Sequence, residues 1–364
     1  MTKKLFAIDL GNKSAKLMKE STAAVSIPSR YLNTYYVNGS NRFSQLASTS
    51  LTDSLDIHKY QLVNEEDSFY FGKDVNKLGK DSQIIESFGV GKDRYAGESG
   101  SNFKRMLSFC IATLAQEFSS DDVVQADLVL GLPTEDYNIQ LIESLIKAAK
   151  RQHSVEIDGS PVNVKIAKVH VLPQPIGTFY NFIFNDSGEQ INPSLVQQKT
   201  GIVDIGGLTK LFDSLLNFQM DSMEREQKDT GAFTLYGEIL DQLDMDSSVK
   251  PNKYQIEEVV RTGVASGGSS FVYYPRKAVS ENAGLDLTTT IKKSIDMYTT
   301  QTINEIRNVF THLSSFDNLI FTGGGSQIIN KKLITKAFPN INIIFSDDGE
   351  FSNVKGFYKY GLTQ

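Results

Sequence analysis

One cysteine, four histidines and no surplus of positive charge are what this 364-residue sequence offers, and each shortage closes a class of function. Cys110 has no second thiol for an internal disulfide, which suits a reducing compartment. It falls into a helical apolar pattern with Phe103, Leu107 and Leu114, the place of a packed thiol. His58, His153, His170 and His312 are scattered without the spacing of a zinc site, so transition-metal chemistry has no ligand set to start from. A formal net charge of -6 argues against direct, unspecific binding to nucleic acid, which needs a basic face to displace counterions. No segment approaches the roughly 20 apolar residues of a membrane span. The apolar run after Lys3 and Lys4 is broken at Asp9, too early for a signal peptide. A soluble, cytoplasmic protein without membrane contact is expected. The spacings of a P-loop and of a dinucleotide fingerprint, both of which need a helix after the glycines, are also missing.

The composition, 40% hydrophobic and 22% charged, is that of a globular chain long enough for two full cores. The stretch that organises it is Gly201-Ile202-Val203-Asp204-Ile205-Gly206-Gly207-Leu208-Thr209-Lys210. An apolar strand ends in a carboxylate, two glycines reverse the chain, and an extended segment resumes from Leu208 to Leu215. Such a turn gathers backbone N–H groups into an oxyanion-binding concavity, with Asp204 able to hold a metal-bound water. Alone, the stretch equally fits a buried hairpin with an Asp-initiated turn. The N-terminus repeats the device as Leu5-Phe6-Ala7-Ile8-Asp9-Leu10-Gly11-Asn12-Lys13-Ser14, extended onward to Met18. Two such hairpins facing each other would grip one polyphosphate, with Asp9 and Asp204 near a shared Mg²⁺ and Lys16 as a point charge. Internal duplication across a cleft is the simplest reading.

In chain order, short alternating runs from Val25 to about Gly97 suggest a β-rich insertion, with Lys92 to Ser101 as its return loop. Helical periodicity follows at Asn102–Glu117, a buried strand at Asp127–Leu130 ended by Gly131-Leu132-Pro133, and a helix at Asn138–Arg151. Val162 to Leu172 runs into Pro173-Gln174-Pro175, taken as the crossing between halves, with Thr178–Phe184 helical and Ser187–Lys199 a loop. Beyond the second hairpin, Thr230-Gly231 opens a helix, another spans Tyr254–Thr262, and Leu285–Leu313 is the longest helical pattern. Leu319-Ile320-Phe321-Thr322-Gly323-Gly324-Gly325-Ser326 is a strand with three glycines, read as leading into a helix at about Gln327–Phe338. Those glycines would let a flat base approach the backbone, or serve only a tight strand-to-helix turn. A strand at Ile341–Phe345 and a short helix at Gly356–Leu362 close the chain.

Taken in order, Asp9 to Lys16, Pro173-Gln174-Pro175, Asp204 to Thr209 and Thr322 to Gly325 resemble the phosphate-1, connect-1, phosphate-2 and adenosine motifs of the actin, sugar-kinase and heat-shock-chaperone superfamily. Ile27-Pro28-Ser29-Arg30, Gly131-Leu132-Pro133-Thr134 with Tyr137, and Asn353-Val354-Lys355-Gly356-Phe357 look like the plasmid-segregation actins of the ParM type. The resemblance implies an α/β, actin-like fold of two duplicated ribonuclease-H-like domains around a nucleotide cleft. Domain I would be 1–172 plus 346–364 with an insertion at about 22–97, and domain II 173–345 with an insertion at about 226–284. It also implies ATP, or GTP, with Mg²⁺ held through water by Asp9 and Asp204. Gly11, Asn12, Lys13 and Ser14 with Gly206, Gly207, Leu208 and Thr209 would bind the phosphates, and Lys16 would reach one from the side. Gly323, Gly324, Gly325, Gln327 and Ile328 would flank the adenine, and Gly231 the ribose. Gln174 stands where the family orients the attacking water; glutamine is a poor base, so positioning is its implied job, a polar turn residue being the other reading.

The implied activity is an ATPase that polymerises into filaments and moves plasmid DNA through a DNA-bound adaptor of the ParR type. Asp9, Asp204 and Gln174 would form the catalytic set. The alternatives within the fold are a sugar or carboxylate kinase, for which no acidic base or sugar-binding cluster stands out, and a non-polymerising scaffold of the PilM type. A chaperone would need a substrate domain after Gln364, FtsA an amphipathic tail, and MreB fits the Pro28 and Gly131 segments less well.

Overall fold

The computed structural model describes residues 3–38, 55–78, 83–86, 97–118, 123–246, 249–275 and 284–364. The chain divides into two compact units, Met1–Ile191 with Asn353–Gln364, and Asn192–Ser352.

In the first unit, ten strands among the described residues form one sheet: β1 (Lys4–Leu10), β2 (Ser14–Lys19), β3 (Val25–Pro28), β4 (Arg30–Asn33), β5 (His58–Leu62), β6 (Ser68–Phe71), β7 (Ile84–Glu86), β8 (Val124–Leu132), β9 (Gln152–Ile157) and β10 (Ser160–Pro173). The second unit holds β11 (Thr200–Ile205), β12 (Lys210–Leu216), β13 (Gln219–Lys228), the short pair β14 (Val272–Tyr273) and β15 (Leu285–Asp286), then β16 (Asn318–Thr322) and β17 (Asn342–Phe345). Five strands of the first sheet run in the order β3-β2-β1-β8-β10, and the second sheet is β13-β12-β11-β16-β17. Their pairings match one for one. Each begins with two antiparallel contacts and continues with two parallel ones. The duplication read from two short stretches is therefore a duplication of a five-strand pattern, which makes up the whole of the second sheet and half of the first. β1 and β16 are central and parallel to a neighbour, which is why they read as unbroken apolar runs rather than alternating ones.

The β-rich reading of the 25–97 region holds for its described part, where β3 to β7 all join the first sheet. The return loop expected at 92–101 lies outside the described residues up to 96, and from Gly97 the chain is helical to Ala115. That helix buries Cys110 completely, beside Phe109, whose ring meets Tyr31, Tyr60, Phe69 and Phe71. The core of the second unit gathers around Val203, Phe212, Tyr236, Tyr298, Phe310 and Phe321.

Elsewhere the local structure departs from expectation for identifiable reasons. The helix expected at 327–338 is a 3-10 turn at Gly324–Gln327 followed by a separate helix, Lys331–Ala337. Asn330 makes the break, since its side-chain oxygen accepts from the amides of Lys332 and Leu333 and starts a new helix there. Within the expected 187–199 loop, Pro193–Gln197 forms a short helix, proline being tolerated in a first turn. The same tolerance lets a helix begin at Gln174 and run to Ile183, four residues earlier than the Thr178 start read from the sequence. The long helix is Thr288–Val309, its expected first residues being taken by β15.

Candidate functional site

In the first unit, β1 and β2 pair with Asp9 opposite Lys16 and Leu10 opposite Ala15, leaving residues 11–13 as the turn. The Gly11 amide donates to the Ser14 carbonyl at 3.2 Å. The ammonium of Lys16 lies 3.1 Å from where a β-carbon on Gly11 would stand, so the charge sits against the turn. Ser29, just after β3, pins the loop from behind: its amide donates to the Lys13 carbonyl at 3.0 Å and its hydroxyl to the Gly11 carbonyl at 2.5 Å.

Parallel pairing carries Gln174 to the same end of the sheet. β8 lies between β1 and β10, with Ile8 opposite Leu130 and Leu172 opposite Gly131. Asp9 and Gln174, 4% and 8% exposed, meet across it, the side-chain amide Nε2 donating to Asp9 Oδ1 at 2.9 Å. A carboxylate only accepts, so this bond fixes which way the amide faces, with Nε2 toward Asp9 and Oε1 away from it. Gln174 is the first residue of its helix, preceded by Pro173.

In the second unit, β11 and β12 repeat the arrangement, with the Gly206 amide donating to the Thr209 carbonyl at 2.9 Å. Here the turn rests on the start of the helix Ala232–Asp241: the amides of Gly231, Ala232 and Phe233 donate to the carbonyls of Leu208, Gly206 and Gly207 at 2.9–3.0 Å. A β-carbon at Gly231 would lie 2.4–2.6 Å from backbone atoms of residues 207–209, so only glycine fits beneath the turn. With the carbonyls turned to that helix, the amides of Gly207, Leu208 and Thr209 meet no protein acceptor among the described residues. A cradle of amides at a strand end is what an oxyanion requires.

The third glycine stretch is delivered to Asp204 by the sheet. β11 and β16 place Asp204 opposite Thr322, and Gly323 follows with φ +77°. A β-carbon at 323 would stand 2.3 Å from Asp204 Oδ1 and 2.4 Å from the Ile205 carbonyl, and one at Gly325 would stand 2.3 Å from the Ile205 side chain. Gly324 is the more open member, with the Arg261 guanidinium 3.1 Å from its β-carbon position. Arg261 pairs with Glu257 one turn before it, at 3.1 Å, and with Glu350 at 3.3 Å. These carboxylates hold its pKa above the ordinary arginine value against the opposing effect of burial. The Gln327 amide is spent on the Ser346 carbonyl at 2.7 Å, and Ile328, 3% exposed, is part of the core.

Sequence reasoning named the two hairpins, Gln174 and the third glycine stretch. It missed Ser29 as a support of the first turn, and the Glu257 and Arg261 pair beside Gly324. The i,i+4 spacing of that pair was the available signal, but many exposed helices carry one. Among the described residues no group of three or more His, Cys, Asp or Glu side chains could hold a metal alone. Mg²⁺ ordinarily takes one or two carboxylates with waters and phosphate oxygens, and a single carboxylate beside each turn fits that mode.

Residues 7–177 match the family model of the actin like proteins N terminal domain, and residues 199–342 that of the Alp7A C-terminal domain. No curated protein matches the sequence. Among solved structures, the apo psk41 ParM protein superposes with a TM-score of 0.73 at 19% identity, with 100% of both chains covered. A Bacillus thuringiensis ParM with ATP gives 0.73 at 12% identity, covering 100% of this chain and 99% of its own. The 15-stranded ParM filament from Clostridium botulinum gives 0.69 at 20% identity, with 100% of both covered. These likenesses identify the fold, two α/β units built on the duplicated five-strand pattern, as actin-like.

Proposed function

On the premise that this chain belongs to the actin-like proteins of the ParM type, we propose that it is an ATPase whose nucleotide state controls its assembly into filaments. One observation carries the reading: the two units present, at the same position of the same five-strand pattern, an Asp followed by a turn closed by the same amide-to-carbonyl bond. Each unit by itself thus offers an Asp-headed turn of the kind that takes a phosphate oxygen, which supports a nucleoside polyphosphate as the ligand.

In this reading the amides of residues 206–209, and those of the Gly11–Ser14 turn with Lys16, bind β- and γ-phosphate oxygens. Gly323 to Gly325 flank the adenine, and Gly231 supports the phosphate turn from below rather than touching the ribose. Arg261 lies close enough to Gly324 to cover one face of the base. Gln174, held by Asp9, presents Oε1 to a water and aligns it, a task that affects the chemical step and not binding. Mg²⁺, when bound, supplies neutralisation of the triphosphate charge, and Asp9 and Asp204 are the residues to hold it through water.

Filaments of relatives, such as the Clostridium botulinum ParM, support self-assembly, and the Bacillus thuringiensis ParM solved with ATP supports the nucleotide. The acidic net charge favours contact with plasmid DNA through a DNA-bound adaptor of the ParR type rather than directly. Pelleting and light scattering with ATP, with GTP and without nucleotide test the proposal, with Asp204→Ala alongside. Wild-type protein should pellet only with nucleotide and release phosphate, and Asp204→Ala should lose most turnover. Persistent monomers over a wide concentration range, together with phosphate transfer to a sugar or carboxylate, would make a kinase the better reading.

A further inference from the structure

Lys210 is the residue immediately after the second phosphate turn, and it is fully buried. Its ammonium donates to Glu305 Oε2 at 2.8 Å and to the Thr302 hydroxyl at 2.9 Å, and it lies 4.0 Å from the centre of the Tyr298 ring. The other oxygen of Glu305 accepts from the Thr230 hydroxyl at 3.0 Å and the Gln301 amide at 3.1 Å. Thr230 directly precedes Gly231, and its carbonyl accepts from the Tyr298 hydroxyl at 2.8 Å. One carboxylate on the helix Thr288–Val309 therefore takes hold of both chain segments that flank the turn: Lys210 where the turn becomes β12, and Thr230 where β13 gives way to the helix start that carries the turn's carbonyls.

An ion pair in such a place is not explained by stability. Burying an ammonium and a carboxylate costs about as much as their attraction returns, and apolar side chains of the same volume serve a core at least as well. What the pair supplies, and apolar packing does not, is a fixed register, because each of its hydrogen bonds holds only over a narrow range of distance and angle. We infer that Glu305, with Lys210 and Thr230, is a positioning unit that sets the 206–209 turn against the helix start at Gly231 and so aims its amides at the phosphates. None of the three touches the ligand. They act through the backbone of the turn.

The inference rests on the proposed nucleotide site, and the test separates the two. ATP and ADP affinities would be measured by calorimetry for the full chain, beside the melting temperature, for wild type, Thr230→Val, Thr302→Val and the apolar replacement Lys210→Met with Glu305→Leu. Thr230→Val is the mildest probe, since it cuts the link to Glu305 without burying a charge. The double variant should melt at or above the wild-type temperature yet bind ATP at least ten-fold more weakly, with a smaller loss for ADP. Thr230→Val should lower ATP affinity in the same direction by about three-fold or more. Thr302→Val, which loosens Lys210 alone, should fall between wild type and the double variant. If the double variant melts as wild type and binds ATP as wild type, the network is packing and the inference is wrong. If wild type itself binds neither ATP nor ADP, the nucleotide reading fails first and takes this one with it.

Discussion

Substituting Gly356 by alanine should destabilise the first unit although alanine is the better helix former. Gly356 lies in the helix Ser352–Leu362 where it crosses the helix Gln174–Ile183. A β-carbon there would stand 1.6 Å from the Gly177 carbonyl oxygen and 2.4 Å from its carbon, where ordinary contact begins at 3.4 Å. The obstacle is backbone, so no rotamer relieves it and the helices must part by about 2 Å. Parting them also draws the Phe357 ring from its seat against Gly131 and Gly177 and strains the Thr178 to Asn353 bond of 2.7 Å. Overpacking of this kind costs about 3 kcal/mol at the upper end of its range, and alanine's helix propensity returns about 1 kcal/mol. The net loss of about 2 kcal/mol corresponds to a fall of about 4–8 °C in the melting temperature of a unit this size. Calorimetry on the full chain reads it, with Gly237→Ala as the opposing case, because there the new methyl meets only the flexible end of Lys253. Gly237→Ala should melt at or slightly above wild type. Since Gln174 is the first residue of the displaced helix, phosphate release should slow in Gly356→Ala as well. A melting temperature within about 1 °C of wild type would refute the steric argument.

Three further outcomes are expected. Gln174→Ala should slow single-turnover phosphate release by about 100-fold while the dissociation constant for ATP changes by less than about three-fold, because water orientation is felt only in the chemical step; equal losses in both would make the residue structural. Gly323→Ala should weaken nucleotide binding measured by calorimetry, since its methyl would meet Asp204 Oδ1 at 2.3 Å on a backbone of positive φ, and unchanged binding would detach this glycine from the site. His153, buried with Nδ1 3.0 Å from the Ser108 hydroxyl and Nε2 2.9 Å from the Ala149 carbonyl, has its pKa lowered by burial to about 4. The unfolded chain therefore binds the proton first, and stability worth on the order of 3 kcal/mol drains away as the pH falls from about 6.5 to about 4. Urea melts across that window should show it, and His153→Gln should flatten the slope.

The sequence by itself determined the parts of this protein whose signals are local. An apolar run ending in Asp9 or Asp204 and followed by glycine can do little other than form a strand and a tight turn, and the 3.6-residue period read over 285–313 marks a helix, observed at Thr288–Val309, wherever it packs. Two such turns already implied a duplicated architecture. Where the period was interrupted by a side chain competing for backbone, as at Asn330, the local signal failed and the helix start moved. What only tertiary structure decided is pairing over long separations. That Gln174 reaches Asp9, 165 residues away, depends on β8 lying between their strands, and that Gly323 closes over Asp204 depends on β11 pairing with β16. Lys210 makes the point most sharply. In sequence it is one more lysine after a turn, and its neighbours there give no reason for burial. Only the packing of a helix some 95 residues further on supplies Glu305, whose carboxylate, with the Thr302 hydroxyl and the Tyr298 ring, lets an ammonium sit in that core.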